Sequence, residues 1–208
     1  MNPNGKSASL DSTGRATGLA KSLLELGHPV LLPDLFMMGE NARPDAAAKR
    51  VYFDQPEGKA KYFTTYNRTD VQERVQDLIT ACAVAKKDLG ARKVVLAGVG
   101  RAGLCVLLAA PAADGVTADC AGVNATDDTA LLAQDIFTPG LKRMGGFAGV
   151  ASLAAPNPAL IYNVSTLYAG ELLRASYSVS KDADKLRVEK IPLDDATVAT
   201  WITGRFGR

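Results

Sequence analysis

The chain has 208 residues, 47% of them hydrophobic and 22% charged, which is ordinary for one globular domain with a full core. The formal net charge is +2 and the Lys and Arg residues are scattered, so the composition argues against a nucleic-acid-binding protein. No apolar run reaches the length of a membrane span, and the polar N-terminus lacks the apolar core of a signal peptide, so we expect no membrane partner and a cytoplasmic location for the chain as given.

Helical and strand-like apolar periods alternate along the chain. In chain order, they predict a helix over 15–27, a strand over 29–35, a helix over 69–88, a strand over 93–98, a helix over 101–110, strands over 118–125 and 158–164, a helix over 170–181, a strand over 185–193 and a helix over 194–203. This alternation predicts an α/β fold, a three-layer sandwich with a mostly parallel sheet of roughly five strands. We assign residues 1–208 to a single domain, with 1–14 as a flexible arm and 36–67 as a long loop excursion.

Cysteine and histidine are both scarce. Cys82, Cys105 and Cys120 each lie in an apolar pattern without a C-x-x-C pair, which predicts reduced, buried thiols instead of a disulfide framework. The one histidine, His28, restricts the available chemistry, because most acid–base and zinc sites use histidine. We predict no metal site and no bound cofactor.

Residues 98–103 (GVGRAG) lie between a predicted strand and a predicted helix. Their G-x-G-x-x-G spacing is typical of a dinucleotide-binding turn, which makes an NAD(P)-binding oxidoreductase one alternative. That site needs an acidic residue at the end of the next strand, whereas Asp119 stands at the start of the strand predicted over 118–125. Tyr177 and Lys181 match the Tyr-x-x-x-Lys pair of short-chain dehydrogenases, but a helix surface carrying both residues one turn apart is the simpler interpretation.

The same turn also fits a nucleophile elbow, in which a strand, a sharp glycine-rich turn and a helix hold a serine at the edge of a sheet. Small residues at 98, 100, 102 and 103 suit such a turn, because strand and helix nearly touch there. The residue at the apex is Gly100, where the nucleophile would stand.

Three segments resemble the α/β-hydrolase superfamily, in particular its acetylxylan-esterase-like and dienelactone-hydrolase-like members. The segment LLELGHPVLLPDLFMMGEN (23–41) is similar to the family's helix–strand–loop unit. The segment YNRTDVQERVQDLITACAVAKKDLGARKVVLAGVGRAG (66–103) looks like the helix before the elbow followed by the elbow itself. The segment PGLKRMGGFAGVASLAAPNPALIYN (139–163) is similar to the stretch that leads into the acid-bearing strand.

The resemblance implies a Ser-His-Asp triad, and none of its three positions carries the required residue. The nucleophile position matches Gly100, and the residues where the acid is expected are Asn163, Val164, Ser165 and Thr166. The position of the histidine offers Asp194 and Asp195 instead. We therefore expect a protein that is non-catalytic or weakly active, because acyl transfer without a nucleophile–base pair loses its main path.

The resemblance still implies a ligand site. Its residues would be Gly100, Arg101 (an oxyanion-hole amide in the family), Asp34 and Asn163, and its ligand a small ester or carboxylate. The alternative is an active carboxylesterase or lactone hydrolase with a non-standard nucleophile, for which Ser165 is the fallback. Further candidates are more often turn or cap residues; they are Ser7 and Ser9 near Lys6, Asp127, Asp128, Asp194 and Asp195.

The resemblance also implies a strand between segments 29–35 and 93–98, and no run in this chain fills that slot. We therefore expect an N-terminally truncated hydrolase fold in which these two segments pair directly. The sheet edge and apolar helix faces exposed in this way predict a homodimer.

Overall fold

The computed structural model describes residues 1–42, 63–166, 168 and 170–207. Its four strands form one parallel sheet in the order β1-β2-β3-β4. Their bounds are Val95–Gly98 for β1, Gly115–Asp119 for β2, Ala159–Tyr162 for β3 and Leu186–Val188 for β4. The α/β class and the parallel sheet are confirmed, whereas the described residues hold four strands and not the expected five.

The strand predicted over 29–35 is wrong, and so is its expected direct pairing with 93–98. Residues 29–35 form no strand, and β1 pairs only with β2 in the described sheet. Pro29 and Pro33 explain the difference, because proline has no N–H to donate and is disfavoured in a central strand. The bounds predicted as 118–125 are wrong: this strand is β2, Gly115–Asp119, so Asp119 ends it instead of starting it. The strand stops there because the chain turns at Ala121 and Gly122, whose φ angles are 49° and 63°.

The helices alternate with the strands, as the periodicity predicts. They are α1 (Gly18–Glu25), α2 (Phe63–Tyr66), α3 (Asp70–Lys87), α4 (Ala102–Ala109), α5 (Asp128–Leu131), α6 (Gly146–Ala151), α7 (Glu171–Val179) and α8 (Asp195–Phe206). The predicted cap of α3 is present: the Thr69 hydroxyl accepts a hydrogen bond from the Gln72 amide while the Gln72 side chain accepts one from the Thr69 amide. Of the loop expected over 36–67, residues 43–62 lie outside the described residues.

Helices cover both faces of the sheet because successive strand residues point to opposite sides. Leu160 and Tyr162 of β3 pack with α1 and α8 in one apolar cluster. Ala159 and Ile161 of the same strand pack in the second cluster, with α3, α4, α6 and α7. The arrangement has three layers, and no helix of the described residues is long and apolar enough to cross a membrane.

The first residues of the chain lie against the body of the fold. Met1 hydrogen-bonds to the edge of β1 through its amine, which donates to the Ala97 carbonyl, and its carbonyl, which accepts from the Val99 amide. A 3₁₀ helix follows over Lys6–Ser9, and the Ser9 carbonyl accepts from the Thr17 amide. The stretch that we expected to be an arm is thus joined to β1 and to the start of α1.

Candidate functional site

The turn from β1 into α4 is as tight as its glycines suggest. A Cβ added at Gly98 would lie 2.5 Å from the Gly103 Cα, and one at Gly103 would lie 2.0 Å from the Asp119 carbonyl oxygen. Both glycines therefore allow α4 to approach β1 and β2 without a side chain between them. The predicted strand–turn–helix is present, and two of its three glycines have a packing role.

Gly100 stands at the apex of this turn with φ 56°, a conformation that favours glycine. A Cβ at this position would meet only Pro3 Cγ, at 4.0 Å. The backbone thus has a left-handed apex between a strand and a helix, as a nucleophile elbow does, and room for a side chain, but Gly100 carries no group that could react.

Asp119, the last residue of β2, ties the turn to the neighbouring strand ends. Its Oδ2 accepts from the Gly100 amide at 3.1 Å, and its Oδ1 accepts from the Ala121 amide and from Asn163 Nδ2, each at 2.8 Å. The carboxylate therefore links the carboxyl ends of β1, β2 and β3. Because an ionised carboxylate only accepts hydrogen bonds, all three partners are donors.

Left-handed residues cluster at this edge of the sheet. Gly100, Ala121 and Asn163 follow three adjacent strands and have φ angles of 56°, 49° and 53°. Such conformations cost of order 1 kcal/mol or more for a residue with a side chain and concentrate at functional sites. The edge that holds Gly100 and Asn163 is therefore the best candidate site.

The Arg101 side chain is already engaged. Its Nε donates to Asp135 Oδ2 at 2.5 Å and its terminal nitrogen donates to Asp135 Oδ1 at 2.8 Å, a two-pronged ion pair that is partly exposed on both sides. The guanidinium thus stands at the start of α4 with its charge paired. Asp135 is the partner that our sequence analysis did not identify.

Two of the positions expected to supply a base or a second nucleophile, Asp194 and Ser165, make local contacts with the backbone. Asp194 caps α8, where its carboxylate accepts from the Thr197 amide at 2.7 Å. Burial raises the pKa of Asp195, and the neighbouring Asp194 raises it further. Ser165 follows β3, and its carbonyl accepts from the Tyr168 amide at 2.9 Å.

The single histidine lies at the other end of the sheet. His28 Nε2 hydrogen-bonds to the Thr203 hydroxyl at 2.8 Å. Thr203 is one turn before Phe206, whose ring meets Gly115, the first residue of β2. His28 is therefore near the amino ends of the strands, whereas Gly100 is at their carboxyl ends, so no nucleophile at Gly100 could use it as a base.

Asp34, Gly100, Arg101 and Asn163 do not form one cluster of free ligand groups. Asp34 is 6% exposed in its side chain and accepts from the Lys6 amide at 2.6 Å and from the Glu40 amide at 3.0 Å. The bonds from the Glu40 amide and, next, from the Lys6 amide hold the pKa of Asp34 below its ordinary value. Asp34 therefore joins the first residues to the loop at 39–40.

The other sequence candidates have local roles. Asp127 caps α5 through the Thr129 amide at 2.9 Å, and Asp128 forms an ion pair with Lys142. Tyr177 is fully buried and its hydroxyl donates to the Asn157 carbonyl at 2.5 Å, so it does not present a reactive pair with Lys181. No group of three or more His, Cys, Asp or Glu among the described residues could hold a metal ion.

The three cysteines are free and buried, as predicted from their apolar surroundings. Burial raises the pKa of Cys105 and of Cys120 to about 12, and the carboxylate of Asp119 adds to the effect at Cys120. Neither thiol is therefore a nucleophile at neutral pH.

The sequence signal for the position of Asp119 is the short stretch of small and β-branched residues at 116–118 (VTA), which it follows directly. That placement puts an acidic residue at the end of the strand next to the glycine turn.

Comparison of this chain with protein-family models, with curated proteins and with solved structures finds no match in any of the three.

Proposed function

We propose that this protein is a non-catalytic relative of the α/β-hydrolases, which binds a ligand at the carboxyl edge of its sheet and does not hydrolyse it. The observation that carries the proposal is the apex of the turn: Gly100 has the left-handed backbone and the open space of an elbow, but no side chain. The sole histidine is bonded to Thr203 at the opposite end of the sheet. Triad chemistry needs both groups in contact.

The charges at this edge favour a neutral ligand. Asp119 places a carboxylate against the Gly100 amide, and the positive charge of Arg101 is already paired with Asp135. A carboxylate ligand would meet like charge there, whereas an ester or another neutral carbonyl compound would not. Of the two ligand classes expected from the sequence, we therefore propose the ester.

The test is hydrolysis of p-nitrophenyl acetate by the purified protein and by Gly100→Ser. We expect both to release nitrophenol at the background rate, because a serine without a base is a weak nucleophile at neutral pH. Gly90→Ser is the matched control: Gly90 also has a positive φ, 69°, and open space, but lies just after α3. Turnover above the Gly90→Ser rate in Gly100→Ser would reveal a base and contradict the proposal. Turnover in the unmodified protein that Ser165→Ala abolishes would support the active-esterase alternative.

A second candidate function is NAD(P) binding, and the position of Asp119 favours it. Asp119 ends β2, next to the glycine turn, which is where a dinucleotide fold places the acidic residue for the ribose. One observation argues against NAD(P) binding. The same carboxylate accepts from the Gly100 amide and from Asn163, so its negative charge lies at the turn that the pyrophosphate would approach. Titration of NADH fluorescence tests this candidate, and saturable binding that Asp119→Asn weakens would favour it over the hydrolase-like proposal.

A further inference from the structure

A groove of about 340 Å³ lies beside β4, the strand at one outer edge of the described sheet. Its lining combines polar groups of α7 with apolar side chains of β4; the lining residues are Arg174, Tyr177, Ser178, Ala183, Leu186 and Val188. A groove between a helix and an edge strand is a shape that accepts an extended chain, which can pair with the strand and place side chains against the helix.

The outer backbone edge of β4 is open. Glu189 faces β3, because its amide donates to the Ile161 carbonyl at 2.9 Å and its carbonyl accepts from the Val164 amide. In a parallel ladder, the N–H and C=O of one residue point to the same neighbour, and successive residues alternate. Val188 and Lys190 therefore face away from β3, and no described residue bonds to the Val188 amide or carbonyl.

The two faces of β4 carry different side chains. Leu186 and Val188 lie on the α7 face and pack against the larger apolar cluster. Arg187 and Glu189 lie on the opposite face, where their side chains pair at 2.9 Å. The charges that usually protect an exposed strand edge are thus paired with each other, and the α7 face keeps an apolar floor.

Arg174 is the cationic group of this groove. It is exposed on α7, and a Cβ built on Gly170 would lie 2.9 Å from one of its terminal nitrogens, so the guanidinium extends toward the start of α7. Glu171, one turn earlier, forms no ion pair with it, and neither does any other carboxylate of the described ranges. A planar guanidinium in this state can take a carboxylate in a two-pronged contact.

The surroundings of the groove carry an excess of unpaired positive charge. The acidic side chains that follow α7 and β4 are already engaged, in the ion pairs Asp182–Lys185, Asp184–Arg205 and Glu189–Arg187. Lys181 and Lys190, in contrast, are exposed and have no ion-pair partner in the part of the chain that the structure describes. The charge complementary to this surface is negative, so a partner would be acidic.

We propose that this groove binds an extended, acidic segment of another protein, which adds a parallel strand to the outer edge of β4 and places a carboxylate against Arg174. Apolar side chains of the segment would lie on Leu186 and Val188, with the acidic one further along on the same face. A small carboxylic acid would meet Arg174 but leave the Val188 backbone groups without a partner. The inference uses no residue of the candidate site, so it stands whether or not a ligand binds at Gly100.

The probe is an acetylated, amidated peptide of sequence Val-Thr-Val-Thr-Asp. Alternate residues share a face, so both valines and the aspartate would lie on the α7 side while the threonine backbones pair with β4. We expect saturable shifts of the Val188 and Lys190 amide resonances in an NMR titration. At saturation, hydrogen exchange at the Val188 amide should slow at least tenfold, because that amide gains an acceptor.

Two further peptides separate the charge from the strand pairing. Val-Thr-Val-Thr-Asn, which lacks the carboxylate, should bind at least tenfold more weakly. Val-Pro-Val-Pro-Asp keeps the carboxylate but removes the N–H groups that a parallel strand would donate to β4, so it should not bind.

The protein variant is Arg174→Gln, and its matched control is Arg92→Gln, at an exposed arginine just before β1 on the opposite edge of the sheet. Arg174→Gln should weaken binding of the acidic peptide at least tenfold, and Arg92→Gln should leave it unchanged. Thermal unfolding of both variants separates loss of binding from loss of fold.

Three results would overturn the proposal. They are absence of binding by the folded protein, equal binding of the asparagine or proline peptide, and binding without slower exchange at Val188. The homodimer expected from the sequence is a competing occupant: a dimer by light scattering, in which the Val188 amide is already protected without peptide, would show that a second copy covers this edge and would also overturn it.

Discussion

The backbone amide of Gly100 donates to the carboxylate of Asp119 at 3.1 Å, and this bond fastens the apex of the β1–α4 turn to the end of the neighbouring strand. Asp119 also accepts from Ala121 and from Asn163 Nδ2, so one side chain orders three successive strand ends. These bonds form a hydrogen-bonded brace at the carboxyl edge of the sheet.

The first prediction concerns this brace. Asp119→Asn should destabilise the protein by about 1–3 kcal/mol, because an amide nitrogen would face at least one of the three donors that the carboxylate accepts. Chemical denaturation followed by circular dichroism measures the change. Asp88→Asn, at an exposed aspartate just after α3, is the control and should shift stability by less than about 0.5 kcal/mol. Equal shifts in the two variants would mean that the brace does not contribute.

The second prediction separates packing from helix propensity at two glycines. Gly103→Ala should destabilise by about 1–3 kcal/mol, because its Cβ would lie 2.0 Å from the Asp119 carbonyl oxygen and would push α4 away from β2. Gly204→Ala, in α8 with nothing within 4 Å of the added Cβ, should instead stabilise by about 0.5–1 kcal/mol. Thermal and denaturant unfolding of the two variants measure both changes in the free energy of unfolding and show whether they have opposite signs. A stabilised Gly103→Ala would refute the close approach.

The third prediction concerns pH. Burial lowers the pKa of the Met1 amine from 8.0 to about 6. The unfolded chain then binds more protons than the folded one between pH 6 and 8, so this amine makes stability rise with pH across that window, by at most about 2.7 kcal/mol. Acetylation of the amine removes its charge and keeps an N–H for the Ala97 carbonyl.

The measurement is the free energy of unfolding at pH 6 and at pH 8 for the free and the acetylated protein. The difference between the two forms isolates the contribution of the amine from that of the other titrating groups. We expect acetylation to stabilise more at pH 6 than at pH 8. An identical effect at both values would show that the amine is not buried.

The fourth prediction concerns Asp34. Asp34→Asn should cost about 2 kcal/mol, because the carboxylate accepts from the Lys6 and Glu40 amides and an amide group cannot replace both acceptors. Because the pKa of Asp34 is lowered, its contribution is present above the ordinary value of 3.8 and is lost as the pH falls below it. Glu40→Gln removes only the exposed ion pair with Lys6 and should cost clearly less stability than Asp34→Asn. An equal loss of stability in Asp34→Asn and Glu40→Gln would mean that the effect comes from the ion pairing with Lys6 and not from the two amides.

The elements that could be predicted from the sequence are those that local chemistry specifies. Thr69 and Gln72 mark the start of α3 because each side chain reaches the other's backbone within one turn. Likewise, Gly98 and Gly103 bracket the turn into α4, since spacing alone indicates where a strand and a helix must nearly touch. Four of the five predicted strands exist for the same reason, and the exception is the segment that carries Pro29 and Pro33.

Tertiary structure decided which side chains meet at the candidate site, because the bonded residues are far apart in the chain. Asp119 and Asn163 are 44 residues apart and meet only because β2 and β3 pair in parallel register. Arg101 and Asp135 are 34 residues apart and no period relates them. The groove beside β4 is likewise a property of the assembled layers: its lining comes from α7 and β4, and only their packing brings Arg174 to the edge of the sheet. The amino-acid sequence determined that residue 100, at the apex of the β1–α4 turn, carries no side chain. The packing of the sheet determined which polar groups at its carboxyl edge bind one another.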